Sequence, residues 1–208
     1  MTNAGPSPGS GLRLQDLQSP LAGPFALSVA PGECAAITGA SGSGKSLFLR
    51  MIADLDVNDG VVELDGRPRR SFSPPEWRSQ VTYVAAESGW WLDIVAEHFA
   101  RERLERAKAL AGELGLDAKL FDAEVIRLST GERQRMAIVR ALVIEPKVLL
   151  LDEPTGALDQ GSVGQVEAAL RTILAGGTAL IMVTHDTALA DRLGGARYHM
   201  ADRRLTPA

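Results

Sequence analysis

Apolar residues occur in short runs separated by polar and glycine-rich segments. Runs that are almost continuously apolar are typical of strands buried on both faces of a sheet. They predict strands at residues 34–38, 61–64, 81–84, 148–151 and 179–184. Helical spacing of apolar residues predicts helices at 45–54, at 96–112 and from 130 to about 144. This succession predicts a mostly parallel α/β sheet covered by helices on both faces.

Length and composition fit one domain. The chain has 208 residues, and we expect residues 1–10, rich in Gly, Pro and Ser, to form a disordered tail before a single domain at 11–208. A net charge of −4 provides no basic footprint, so nucleic acid is not an expected partner. The one cysteine, Cys34, lies in an apolar run and is expected to be a small buried side chain in a reducing compartment. No apolar run is long enough to span a bilayer, so a membrane role would require a partner.

A phosphate-binding motif joins the first predicted buried strand to the first predicted helix. It satisfies G-x-x-x-x-G-K-[ST] and consists of Gly39, Ala40, Ser41, Gly42, Ser43, Gly44, Lys45 and Ser46. Its glycines let backbone N–H groups surround phosphates, Lys45 is expected to hold the β- and γ-phosphates, and the Ser46 hydroxyl is expected to ligate Mg²⁺. A flexible glycine turn before a helix is the alternative, but the strand and helix on either side favour a nucleotide site.

Two acidic residues follow the apolar run at 148–151. Asp152 is expected to lie on the metal side of a nucleotide site, and Glu153 is the candidate general base beside the attacking water. Such a pair alone could be a solvated strand end. Together with the phosphate loop, it indicates a nucleoside triphosphatase.

The segment from Leu128 to Arg135 carries further motifs. Ser129 and Glu132 have the spacing of a helix capping box. The same segment is similar to the L-S-G-G-Q signature of the ABC ATPase family. The order of the phosphate loop, this signature, the Asp-Glu strand and the later Ala-Leu-Asp and Thr-His-Asp triplets also matches that family. The resemblance implies a P-loop NTPase with a RecA-like core, an N-terminal antiparallel β part and a helical insertion at about 88–128.

The resemblance also implies the functional context. ATP and Mg²⁺ would bind at the phosphate loop, and a head-to-tail dimer would place Ser129 and Gly131 of one subunit over ATP on the other. Asp159 looks like the aspartate that reaches across that interface, and His185 looks like the histidine that contacts the γ-phosphate. An integral membrane permease subunit is the implied partner, with the ATPase on the cytoplasmic face of the membrane. Compact bacterial ATPases of the iron-export (FetA-like) type are the most similar subgroup.

The chain departs from the family pattern at three positions. Ala86 stands where a metal-sensing glutamine is expected, although Glu87 could replace it by a one-residue shift. Leu47 is the last residue of the phosphate-binding segment, at a position where the family usually has a threonine. No aromatic residue lies at 19–21 to stack on the adenine, and Phe25, the nearest, could be core. These changes leave a second hypothesis beside the transport ATPase, a nucleotide-gated interaction module with low turnover.

Two adjacent tryptophans, Trp90 and Trp91, follow the Ala86 loop. In the family this region accepts a helix of the membrane subunit. Exposed tryptophans would suit such an interface, whereas packing between the insertion and the core explains at least one of them equally well. The sequence leaves both interpretations open.

Overall fold

The structure is a computed structural model and describes residues 10–208. The strands are β1 Leu12–Ser19, β2 Ala22–Val29, β3 Cys34–Thr38, β4 Asp59–Leu64, β5 Arg67–Pro68, β6 Val81–Val84, β7 Val148–Asp152, β8 Ala179–Val183, β9 Ala196–Ala201 and β10 Arg204–Pro207. The helices are α1 Lys45–Ile52, α2 Pro74–Gln80, α3 Leu104–Glu113, α4 Thr130–Leu142, α5 Gln160–Ala175 and α6 Thr187–Leu193. The predicted tail falls, apart from Ser10, outside the described residues.

A six-stranded sheet forms the centre of the fold, in the order β10-β9-β3-β8-β7-β6. Every neighbouring pair is parallel except β9 and β10, which form an antiparallel hairpin. The α/β architecture with a mostly parallel sheet is therefore as predicted. Because β3 and β7 both end at the carboxyl edge, the phosphate loop and the acidic pair emerge on the same side of the sheet.

Alternate residues of the central strands enter two separate hydrophobic cores. In β7, Leu149 and Leu151 pack into one core with α3, α4 and α5, while Val148 and Leu150 pack into the other with α1 and the N-terminal strands. This alternation follows from the two-residue period of a strand. Both faces are buried, which explains why the strands are almost continuously apolar.

The predicted antiparallel part is a second, four-stranded sheet in the order β2-β1-β4-β5. It packs against the face of the central sheet that also carries α1. The indole N–H of Trp77, in α2, donates to the Ile52 carbonyl at 3.0 Å and satisfies a backbone acceptor at the end of α1. The two sheets thus hold α1, and the phosphate loop before it, between them.

The insertion at 88–128 is less helical than its charge spacing predicts. The prediction of one long helix at 96–112 is wrong. The only α-helix in that range of the chain is α3, and 3₁₀ turns at 95–98 and 101–103 precede it. Between these turns Phe99 and Ala100 are extended, since Phe99 turns into the core beside Phe121 with ring centroids 5.1 Å apart. Tertiary packing of this aromatic pair interrupts the helix.

Other predicted bounds differ by one or two residues. The helix expected at 45–54 ends at Ile52, and the one expected to reach about 144 ends at Leu142. Cys34 is buried at 3% exposure, as expected, and burial raises the pKa of its thiol to about 12. Within residues 10–208 no helix has the length and apolarity needed to cross a membrane.

Candidate functional site

The phosphate loop has the backbone that its sequence motif predicts. Gly39, Gly42 and Gly44 adopt positive φ angles of 149°, 77° and 106°, which L-residues with a side chain rarely accept. A Cβ on Gly39 would also collide with the Met200 carbonyl oxygen. Glycine is therefore required here by conformation and by space. The left-handed turn at Gly44 starts α1 directly at the loop, so the positive end of the helix dipole faces the cradle.

Lys45 and Ser43 supply the polar interior of the loop. Lys45 is 7% exposed, and its Nζ donates to the Gly39 and Ala40 carbonyls at 2.8 and 2.9 Å. The Ser43 Oγ is buried and has no hydrogen-bond partner. A buried hydroxyl without a partner is costly. The loop therefore presents an ammonium and an unsatisfied hydroxyl to a ligand, as expected for a site that binds phosphate oxygens.

Asp152 lies at the end of β7 with only 5% of its surface exposed. The Tyr83 hydroxyl, on the adjacent strand β6, donates to its Oδ2 at 3.0 Å. Burial, followed by the charge of Asp152, raises the pKa of Tyr83, so the phenol stays protonated and acts as donor. One carboxylate oxygen is thus fixed in place. The sequence analysis missed Tyr83, because only the pairing of β6 with β7 brings its hydroxyl to Asp152.

Glu153 follows in a left-handed conformation with φ of 48°. Its Oε2 accepts from the His185 backbone N–H at 3.2 Å, and its Oε1 lies 3.1 Å from His185 Nε2. Gln134 Nε2, from α4, donates to the Glu153 carbonyl at 2.6 Å. The structure therefore brings the predicted base and the predicted histidine into direct contact. Gln134, which the sequence analysis did not single out, anchors the backbone of the base.

One cavity of about 410 Å³ collects most of the predicted nucleotide-site residues. Its lining comprises Leu21, Ser41, Gly42, Gly44, Lys45, Ser46, Leu47, Ala86, Asp152, Glu153, His185 and Arg203. An ammonium, a hydroxyl and two carboxylates thus converge on one space large enough for a phosphate chain. No group of three or more His, Cys, Asp or Glu side chains suited to a metal occurs in the described part of the chain.

Three predicted site residues, Ser129, Gly131 and Asp159, lie outside both the phosphate loop and this cavity. Ser129 caps α4: its Oγ contacts Glu132 Oε2 at 2.7 Å and accepts from the Glu132 N–H at 3.2 Å. Gly131 lies in the first turn of the same helix. Asp159 caps α5 by accepting from the Ser162 N–H at 3.0 Å. Within a single chain, the signature residues and Asp159 therefore serve as helix caps and are not part of the phosphate cavity.

The structure distinguishes between Ala86 and Glu87. Ala86 lines the phosphate cavity and also a second cavity beside α4, whereas Glu87 lines only the second. The side chain nearest the expected glutamine position is therefore the methyl group of Ala86.

Trp90 and Trp91 differ in environment. The packing interpretation fits Trp90, and the interface interpretation fits Trp91. Trp90 packs against the insertion core, while Trp91 is 67% exposed. The Arg140 guanidinium lies 4.6 Å from the Trp90 ring centroid and 4.8 Å from that of Trp91. A groove of about 560 Å³ begins here, lined by Trp91, Arg140 and His98 among others.

Among residues 10–208, no Phe, Tyr or Trp side chain lines the phosphate cavity. Phe25 is 1% exposed and packs edge-on against Phe48 at 4.8 Å, so it belongs to the core. Leu21 lines the cavity and is 60% exposed. Arg203, in the turn between β9 and β10, lines it as well and donates from Nη1 to the Leu21 carbonyl at 2.7 Å. Sequence analysis missed Arg203 because nothing in its own segment indicates a nucleotide site.

A phosphate loop and an acidic pair at the carboxyl edge of a parallel sheet define a P-loop nucleoside triphosphatase. The family model for ABC transporters matches residues 23–156, and the chain belongs to that family as an ATP-binding domain.

Two curated relatives illustrate this similarity. The chain is 42% identical to the aliphatic sulfonates import ATP-binding protein SsuB of Cupriavidus pinatubonensis, over 80% of this chain and 58% of the relative. It is 40% identical to the lipoprotein-releasing system ATP-binding protein LolD of Bordetella pertussis, over 87% of this chain and 85% of the relative. The chain thus spans little more than half of SsuB and most of LolD.

Solved structures with low sequence identity share the fold. The structure of an ATP-binding subunit of an ABC transporter superposes with a TM-score of 0.85 at 22% identity, covering 96% of this chain and 90% of that chain. A dimeric post-hydrolysis state of an ATP-binding cassette with ADP and Pi superposes with a TM-score of 0.81 at 23% identity, covering 95% and 97%. The predicted P-loop fold is confirmed.

Proposed function

We propose that this chain binds Mg-ATP at the phosphate-loop cavity and hydrolyses it, as a dimer, to drive transport through a separate membrane permease. The observation that carries the proposal is the convergence of Lys45, Ser46, Asp152, Glu153 and His185 on one cavity. Relatives named as ATP-binding proteins of import and release systems support transport rather than the low-turnover interaction module. The FetA-like subgroup gains no support from these relatives.

The groups around the loop divide the work between binding and proton transfer. Lys45, Ser43 and the backbone N–H groups from Gly39 to Leu47 bind the phosphates, because they are positive or hydrogen-bond donors. Glu153 orients the attacking water and accepts its proton, while His185 holds the Glu153 carboxylate and faces the terminal phosphate. The positioning of the Glu153 carboxylate follows from its two contacts with His185, one with the backbone N–H and one with Nε2.

Ser46 and Asp152 would hold Mg²⁺. Both line the cavity, and a hydroxyl and a carboxylate are the hard oxygen ligands this ion prefers. Bound Mg²⁺ supplies positive charge that neutralises the β- and γ-phosphates. Tyr83 fixes one oxygen of Asp152 by its hydrogen bond.

The dimer proposal is supported by the position of three predicted site residues away from the phosphate cavity of their own chain. Ser129, Gly131 and Asp159 do not line that cavity. In a head-to-tail pair, Ser129 and Gly131 of one subunit would close the cavity of the other. To contact a phosphate, Ser129 Oγ has to exchange its contact with Glu132, so closure trades one hydrogen bond for another.

The permease contact is proposed at the groove beside Trp91 and Arg140. The exposed Trp91 ring, with a guanidinium beside it, offers an aromatic and cationic anchor of the kind enriched at interfaces. The location that we propose for the domain is the cytoplasmic face of the membrane.

Lys45→Ala tests the nucleotide site. We expect ATP affinity to fall at least about tenfold, because hydrogen bonds to charged groups contribute roughly 1.5–3 kcal/mol each. Lys119→Ala removes an exposed lysine and serves as the matched control. Calorimetric titration with Mg-ATP measures both, and far-ultraviolet circular dichroism confirms folding. Equal affinities in the two folded variants would remove Lys45 from the site and the proposal with it.

A further inference from the structure

We propose that the Arg203 guanidinium is the platform on which the adenine base stacks, in place of an aromatic ring. This inference rests on the proposed ATP site and concerns a residue to which none of the sequence motifs assigns a role. It starts from the position of Arg203, which lines the phosphate cavity although it lies at the far end of the chain from the β1–β2 turn.

Backbone and side chain both fix Arg203 against that turn. Its Nη1 donates to the Leu21 carbonyl at 2.7 Å, and its own carbonyl accepts from the Gly23 N–H at 3.2 Å. Asp202 and Arg203 form the tight β9–β10 turn with φ of 46° and 58°. The guanidinium and the backbone of Arg203 are therefore each held by one hydrogen bond before any ligand arrives, which reduces the entropy lost on binding.

The position suits a base rather than the phosphate chain. The Arg203 Cγ lies 3.4 Å from where a Cβ on Gly44 would be, so its stem covers the last glycine of the loop. Leu21 is exposed and provides an apolar surface at the same opening. The phosphate side of the cavity already has its cation in Lys45. A base extending from the loop would lie between the guanidinium and the Leu21 side chain.

The chemistry of Arg203 fits this role. No carboxylate forms a salt bridge with Arg203 among the residues that the structure describes, whereas Arg50, Arg192 and Arg197 are each paired with one. A planar guanidinium without an ionic partner stacks on aromatic faces, and such stacking accepts any base because every base has a π face. The site should therefore take purine nucleotides with little discrimination between adenine and guanine.

The test compares ATP with inorganic tripolyphosphate, both with Mg²⁺, in titrations of the full chain. We expect Arg203→Gln, which removes the guanidinium plane and its charge, to weaken ATP binding about five- to hundredfold, the range of one stacking contact. Tripolyphosphate binding should stay within about twofold. Arg203→Tyr should restore ATP affinity, because a ring replaces the guanidinium plane without its charge. Arg204→Ala, an exposed arginine outside the cavity lining, is the control and should change neither affinity.

Three results would overturn the inference. Equal losses for ATP and tripolyphosphate would make Arg203 a phosphate ligand, and unchanged ATP affinity in Arg203→Gln would remove it from the site. Failure of Arg203→Tyr to restore binding would mean that charge, not a stacking surface, is required. If the unmodified chain binds neither ligand, the proposed ATP site itself fails, which is a separate outcome.

Discussion

Replacing Glu153 by glutamine separates nucleotide binding from hydrolysis. The carboxylate makes two contacts with His185, at 3.2 Å from the backbone N–H and at 3.1 Å from Nε2. An amide can keep both, because its oxygen accepts from the N–H while its NH₂ donates to a neutral imidazole. Shape and packing are retained, so we expect stability to change by less than about 1 kcal/mol. What the variant loses is the ability to accept a proton from water.

The expected loss of turnover follows from that single change. Positioned general bases contribute about 10²–10⁴-fold, which corresponds to roughly 2.7–5.5 kcal/mol of barrier. Phosphate release by the purified chain with its membrane partner measures the effect. Because ATP then persists at the closed interface, light scattering in saturating Mg-ATP should detect a dimer.

Glu145→Gln is the matched control for this experiment. Glu145 also precedes a proline and also adopts a left-handed backbone, with φ of 55°, but it is exposed and lies outside the cavity. Its variant should hydrolyse ATP normally and remain monomeric once ATP is consumed. Turnover of Glu153→Gln within threefold of that control would refute the assignment of Glu153 as base. A monomeric Glu153→Gln chain in saturating ATP would refute the dimer.

Two further predictions concern neighbours of the base. Gln134→Leu should lower the free energy of unfolding by about 1–3 kcal/mol, because the Glu153 carbonyl loses its 2.6 Å donor. It should also lower kcat more than it changes the KM for ATP, and a change confined to KM would contradict this role. Ala86→Gln should raise Mg²⁺-dependent turnover several-fold, since an amide oxygen can ligate Mg²⁺ and a methyl cannot. If it changes nothing while Glu87→Ala abolishes turnover, Glu87 has the metal-side role despite its place in the second cavity.

Local features of the chain were predictable because their causes are local. The strands β3 and β6 match their predicted bounds, since a short apolar run between polar residues determines where a buried strand begins and ends. The phosphate loop was predictable because three of its residues need glycine whatever surrounds them. The helix expected at 96–112 failed because Phe99 packs into the core, a contact that helical charge spacing does not encode.

The residues that sequence analysis missed share a physical cause. Gln134, Tyr83 and Arg203 act through partners 19, 69 and 182 positions away along the chain. No local pattern records such a contact, because it depends on which strands become neighbours and where their connecting turns meet. The sequence did show that an aromatic platform is missing near Leu21. Only the packing of the two sheets against each other, which joins Gly23 in β2 to Arg203 in the β9–β10 turn, brings a planar cation to the same opening. The aromatic residue missing near Leu21 is therefore replaced, at the same opening, by the planar side chain of Arg203 from a distant segment.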